Sequence, residues 1–258
     1  MSDTLLDVRD LGKRFGGLQA VDGVSFQVRA GHIKSIIGPN GAGKTTIFNM
    51  VAGAFPPSSG SIMFQGRNIA SMPSHEITRL GIARTFQNVK LFRGMSAIQN
   101  VMVGRHCRTR TGFLGAALRL PHAISEERRI RAAALEHLEF VGLADIASTD
   151  AHSLAFGQQK TLEIARALAT EPKLLLLDEP AAGLNTRETE EIAQLICRIR
   201  DTGVTVLLVE HDMSLVMNIS DEVMVLDFGS KLAEGLPLEV QNDPEVIRVY
   251  LGAEYVAE

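Results

Sequence analysis

A chain of 258 residues, 45% hydrophobic and 22% charged, suits one large domain or a core with an inserted subdomain, and its composition is that of an ordinary globular protein. The net charge of −4 and the pI near 6.0 argue against a general nucleic-acid binder, and no run approaches the ~18–20 apolar residues of a membrane span. Met1-Ser2-Asp3-Thr4 does not read as a secretory signal, and the two cysteines, Cys107 and Cys197, lack metal-ligand spacing and read as reduced packing or surface residues, so a cytosolic chain is expected.

Residues 5–10 and 24–28 alternate apolar and polar positions as half-buried strands do. Between them stands Arg14-Phe15-Gly16-Gly17, where Phe15 is either a core residue or a flat ring on which a nucleobase can stack. The apolar run at 33–37 reads as a buried strand, and it feeds Gly38-Pro39-Asn40-Gly41-Ala42-Gly43-Lys44-Thr45-Thr46. This stretch fits G-x-x-x-x-G-K-[ST], and residues 46–52 after it read as a helix closed by Gly53. Strand, loop and helix together give the context in which such glycines let backbone N–H groups from Asn40 to Thr46 close around phosphate oxygens. Lys44 then reaches the β- and γ-phosphates, and Thr45 offers its hydroxyl to Mg²⁺. Residues 61–65, after the turn Pro56-Pro57-Ser58-Ser59-Gly60, form another short alternating strand, so the opening of the chain reads as antiparallel strands beside a phosphate-binding core.

Residues 88–156 read as a helical insertion. Ser125 stands as a cap before Glu126 and Glu127, Ile130, Ala134, Leu138 and Val141 share a face, and Gly142 ends the helix. Within the insertion, Arg105-His106-Cys107-Arg108-Thr109-Arg110 precedes an apolar stretch at 113–118, which suits either a membrane-side contact or a solvated loop. From residue 158 a β–α rhythm follows: helix to 169, strand at 173–177, helix at 188–200, and strands at 204–209 and 222–226. Asp243, Pro244 and Gly252 frame a last short helix. Alternating elements with fully apolar strands predict an α/β fold with a mostly parallel sheet.

The run Leu174-Leu175-Leu176-Leu177-Asp178-Glu179-Pro180 puts two carboxylates at the carboxyl end of a buried strand, where open α/β sheets bind ligands. Beside a phosphate loop, Asp178 suits a Mg²⁺ ligand and Glu179 a group that deprotonates water. Gln87 has an amide able to meet a metal-bound water, and His211, after the strand at 204–209, can reach a γ-phosphate; a lone Gln is usually a surface residue and a lone His more often structural. Ser153-Leu154-Ala155-Phe156-Gly157-Gln158-Gln159-Lys160 is a second small-residue turn feeding a helix, again a shape that binds anions. One chain does not need two such cradles, whereas two chains facing each other head to tail do.

These five motifs, in this order and spacing along essentially the whole chain, resemble the ATP-binding subunit of an ABC transporter. The resemblance implies a P-loop NTPase core over residues 1–87 and 157–258 with an antiparallel β subdomain, and a helical subdomain at 88–156. It implies ATP and Mg²⁺ as cofactors, adenine stacking on Phe15, water and Mg²⁺ sensing by Gln87, Glu179 as general base and His211 on the γ-phosphate. Ala155, Gly157 and Gln158 would bind the partner subunit's nucleotide. The finer pattern, including Ala181-Ala182-Gly183-Leu184-Asn185, Glu210-His211-Asp212-Met213 and Tyr250-Leu251-Gly252, is similar to the LivG-type subunit of branched-chain amino acid importers. That family works with a second, different ATP-binding subunit of the LivF type (or, in isolation, a self-dimer), two membrane permeases and a periplasmic binding protein, on the cytoplasmic face of the inner membrane, without nucleic acid. Systems for urea, amides or other amino acids, lipopolysaccharide exporters and non-transport ABC ATPases share much of the pattern. Ala155, Phe156 and Asn185 depart from the common Ser, Gly and Asp, and the loss of the serine hydroxyl leads us to expect slower hydrolysis at the ATP site that this turn completes.

Overall fold

The computed structural model describes residues 4–105 and 121–255. In chain order the strands are β1 (Thr4–Phe15), β2 (Leu18–Arg29), β3 (Ile33–Ile37), β4 (Ser59–Phe64), β5 (Arg67–Asn68), β6 (Ile82–Arg84), β7 (Leu174–Asp178), β8 (Thr205–Val209), β9 (Glu222–Asp227) and β10 (Ser230–Gly235). The α-helices are α1 (Lys44–Val51), α2 (Ser74–Leu80), α3 (Ala97–Arg105), α4 (Pro121–Phe140), α5 (Phe156–Leu168), α6 (Thr186–Asp201), α7 (Met213–Ile219), α8 (Pro237–Gln241) and α9 (Pro244–Tyr255).

Two compact units result, one from Met1–Arg84 with Lys173–Glu258 and the other from Thr85–Pro172. The first holds a six-stranded sheet in the order β10-β9-β3-β8-β7-β6 and a four-stranded sheet in the order β2-β1-β4-β5. In the larger sheet every pair is parallel except β9 with β10. Every residue of β3, β7 and β8 is buried, which is why their sequences are continuous apolar runs rather than alternations. The smaller sheet is antiparallel, and β1 and β2 form one long hairpin whose register shifts absorb its irregular pattern. The strands expected at 5–10 and 24–28 are therefore the inner parts of this hairpin.

One core joins both sheets through α1: Leu6, Val8, Phe26 and Phe64 from the small sheet, Ile47, Phe48 and Met50 from α1, and Leu174, Leu176 and Leu207 from the large one. Each such side chain contributes about 1.5–3 kcal/mol on burial, so the helix that follows the phosphate loop is pinned from both sides.

The second unit is helical. Helix α5 packs on α3 and α4, which carries the unit to Pro172 rather than ending it at 156. Helix α4 is already under way at Pro121, so Ser125 lies inside it and is not its cap. Gly252 likewise lies within α9 instead of closing it. The basic and apolar segment after Arg105, with Cys107, falls outside the described residues, while Cys197 on α6 is a free, partly buried thiol. Among the described residues no helix is long and apolar enough to cross a membrane.

Candidate nucleotide-binding site

The loop between β3 and α1 is shaped by its glycines. Gly38 has φ +147°, and a Cβ there would stand 2.1 Å from the Leu226 carbonyl; Gly43 has φ +99°, with a Cβ 2.7 Å from the Ala20 carbonyl. Neither position admits a side chain, so the backbone from Asn40 to Thr46 is held in one curve with Gly43 as the cap of α1. The hairpin turn after β9 braces the loop from outside, the Gly229 N–H donating to Ala42 O at 3.1 Å. Lys44 is nearly buried, and its ammonium donates to Gly38 O at 2.6 Å and Pro39 O at 2.9 Å, across the loop that it closes. Burial pushes this ammonium below its usual range, and the negative charges of Glu179 and Asp178 work in the opposite direction.

Asp178 ends β7, its side chain 1% exposed, and pairs with Arg84 Nη2 at 2.8 Å. Strand β6 explains the contact. Arg84 lies opposite Leu176, and Asp178 is two residues further on the same face. The other guanidinium nitrogen, Nη1, donates to Asn49 Oδ1 at 2.5 Å, tying the edge strand to α1. Arg84 was not singled out from the sequence, because a three-residue edge strand leaves no periodic signal. The donors near the loop suit Mg²⁺: one carboxylate from Asp178 and one hydroxyl from Thr45 are hard oxygens, and among the described residues no group of three or more His, Cys, Asp or Glu builds an all-protein metal cage. Mg²⁺ characteristically takes one or two protein oxygens and completes its shell with phosphates and waters.

Glu179 takes φ +49°, a left-handed backbone that costs a non-glycine residue about 1 kcal/mol. Its N–H donates to Val209 O at 2.9 Å, and its own carbonyl accepts from Ala182 N at 3.2 Å. The chain thus turns sharply off the strand at the candidate base. His211 follows β8, which pairs with β7, and its ring is 63% exposed. Phe15, at the tip of the β1–β2 hairpin, is 46% exposed, packs edge-on to Phe55 with centroids 5.4 Å apart, and has Lys13 Nζ 5.2 Å from its ring centroid.

Gln87 and the turn before α5 belong to the helical unit. Gln87 is exposed. Ala155 is the N-cap of α5 and brings no side-chain bond; instead Gln158 Oε1 accepts from Ala155 N at 3.1 Å, and Gln159 Nε2 donates to Leu154 O at 2.8 Å. Phe156, 49% exposed, has Lys160 Nζ 5.5 Å from its ring centroid. Asn185 caps α6, accepting from Glu188 N at 3.0 Å while Glu188 Oε2 accepts from Asn185 N at 3.0 Å. An Asp at 185 could cap the helix in the same way.

Residues 21–182 match the family described as ABC transporter, and residues 230–256 match one described as branched-chain amino acid ATP-binding cassette transporter. The chain is 47% identical over 253 residues to the high-affinity branched-chain amino acid transport ATP-binding protein BraF of Pseudomonas aeruginosa, covering 98% of this chain and 99% of the relative. The chain belongs to the ABC transporter ATP-binding family. LivG of Escherichia coli strain K12, a protein with the same descriptive name as BraF, is 46% identical over 257 residues, covering 98% and 99% of the two chains. Among solved structures, an ATP-binding cassette of an ABC transporter in its ADP conformation superposes with a TM-score of 0.85 at 32% identity, covering 97% of this chain and all (100%) of that one. Membership of the ABC family makes the chain a nucleotide-binding ATPase.

Proposed function

We propose that this chain is the ATP-hydrolysing subunit of an importer for branched-chain amino acids. The observation that carries the hydrolytic part is that Asp178 and Glu179 stand at the carboxyl end of β7, on the same edge of the larger sheet as the phosphate loop that follows β3. The substrate class rests on the relatives' names and on the match at residues 230–256.

In this reading Phe15 stacks the adenine and the backbone from Asn40 to Thr46 wraps the phosphates, with Lys44 on the β- and γ-oxygens. Thr45 and Asp178 would hold Mg²⁺, which when bound neutralises charge on the phosphates. Glu179 takes a proton from the attacking water, and His211 donates to the γ-phosphate. Ala155, Gly157 and Gln158 present the amino end of α5 to the nucleotide of a second ATP-binding subunit, either a different chain or another copy of this one. Two permeases hold the pair at the cytoplasmic membrane face, where Gln87 and residues 88–105 pass the closing motion on, and a binding protein supplies the substrate.

Uptake of labelled leucine in cells lacking the protein, complemented with wild type or Glu179→Gln, tests this. Restoration by wild type alone is the expected result. Uptake restored equally by Glu179→Gln would remove the base, and uptake that never depends on the protein would remove the substrate.

A further inference from the structure

Glu210 is a carboxylate with 0% exposure, placed immediately after the apolar strand β8. A charge so placed is costly unless hydrogen bonds surround it. Its Oε1 accepts from Ala181 N at 2.7 Å, a buried bond, and its Oε2 accepts from His211 N at 3.1 Å. Burial pushes this carboxyl above the usual range, and the backbone N–H groups of Ala181, His211 and Asp212 oppose that.

The donors come from two different loops. Ala181 opens the turn after Glu179 and Pro180, and His211 and Asp212 start the segment after β8. With Val209 O taking the Glu179 N–H at 2.9 Å, the end of β8 grips the chain on both sides of Glu179, where the left-handed backbone needs support. The same Oε2 lies 3.6 Å from His211 Nδ1, so that side of the imidazole faces the carboxylate and Nε2 is the nitrogen left to face outward.

We propose that Glu210 is a positioning residue that fastens the turn after Glu179 to the segment carrying His211, so that these two groups keep one fixed spacing over the nucleotide. The proposal rests on the roles given above to Glu179 and His211. A carboxylate suits the task because its two oxygens accept from both loops at once, and charge-assisted bonds are the stronger kind. Gln keeps one good acceptor and turns the other into a donor facing an N–H.

The test is steady-state ATP hydrolysis by the full chain in its transporter complex, comparing wild type with Glu210→Gln, His211→Ala, Glu179→Gln and the Glu210→Gln/His211→Ala double variant. Binding of a fluorescent ATP analogue and the Tm are read on the same preparations. Displacing positioned groups by a fraction of an ångström predicts a kcat loss of roughly tenfold or more in Glu210→Gln, with ATP binding within about twofold. Because Glu210 acts through His211 as well as through the Glu179 turn, the double variant should lose clearly less than the product of the two single losses. Wild-type kcat in Glu210→Gln, a fully multiplicative loss in the double variant, or loss of binding in step with a lowered Tm would each overturn the proposal. Where Glu210→Gln does not fold, Glu210→Asp, which keeps the charge one methylene short, takes its place under the same criteria. Normal turnover in Glu179→Gln or His211→Ala would take down the underlying reading and the proposal with it. Normal turnover in Glu210→Gln alone, with those two variants impaired, removes only the tie.

Discussion

The phosphate loop and the turn before α5 are both small-residue segments that feed a helix, and they are built in opposite ways. The first is fixed from every side: Gly38 against Leu226, Gly43 against Ala20, Ala42 against the hairpin at Gly229, and Lys44 sunk among carbonyls. The second is exposed at Ala155, Phe156 and Gln158, and it is tied mainly by side-chain bonds to its own neighbours. A site that carries its own walls acts on nucleotide by itself, whereas a turn that offers only an exposed helix start needs something laid against it. That contrast supports a partner subunit more directly than either segment does alone.

If the contrast holds, substitutions around the phosphate loop should register in the isolated chain, and those at the α5 turn only in the assembled transporter. The largest effect is expected from Gly38→Ala, whose methyl meets the Leu226 carbonyl at 2.1 Å with φ at +147°. It should cost about 3 kcal/mol in chemical denaturation and abolish nucleotide binding measured by calorimetry. Arg84→Ala comes next. It leaves the Asp178 carboxylate without its 2.8 Å guanidinium partner, and a loss of about 2–3 kcal/mol is expected, somewhat below the range for fully buried pairs because Arg84 is 12% exposed. Unchanged stability in that variant would mean that Asp178 is held by other contacts, and the walls of the site would be thinner than described. Asn185→Ala removes the cap of α6 and should cost about 1 kcal/mol, visible as a lower urea midpoint. Smallest for the isolated chain is Ala155→Ser, expected within about 0.5 kcal/mol of wild type and with unaltered nucleotide affinity. In the assembled transporter the same change should speed hydrolysis severalfold at the site that this turn completes. A change in affinity of the isolated chain would break the comparison outright.

Much of this site can be read from the sequence because its chemistry is local. Two glycines, a lysine and a threonine within nine residues carry their meaning in their spacing, and the acids stand at the end of a run whose apolar continuity announces a covered strand. What could not be read depends on register. Arg84 meets Asp178 only because β6 pairs with β7 in one alignment, and β6 is three residues long. Glu210 looks like a polar residue at the end of a strand, and nothing in its neighbours reveals that backbone N–H groups from two loops meet on it. Ser125 failed as a cap for a related reason: its side chain suits the position, but α4 begins before it. The long β1–β2 hairpin was seen only in its regular parts, since shifts of register break the alternation that marks a strand.

The pairing of β6 with β7 also governs whether the helical unit can be removed. The chain leaves the larger sheet after Arg84 and returns at Leu174, on neighbouring strands that run parallel. Exit and return are therefore at opposite ends of the sheet, and no hairpin turn can join them. An excision from 85 to 172 would have to be sealed by a crossover of about a dozen residues or more. Any miniaturised version of this protein must keep a crossing segment there, so the insertion can be shortened and redesigned but not simply cut out.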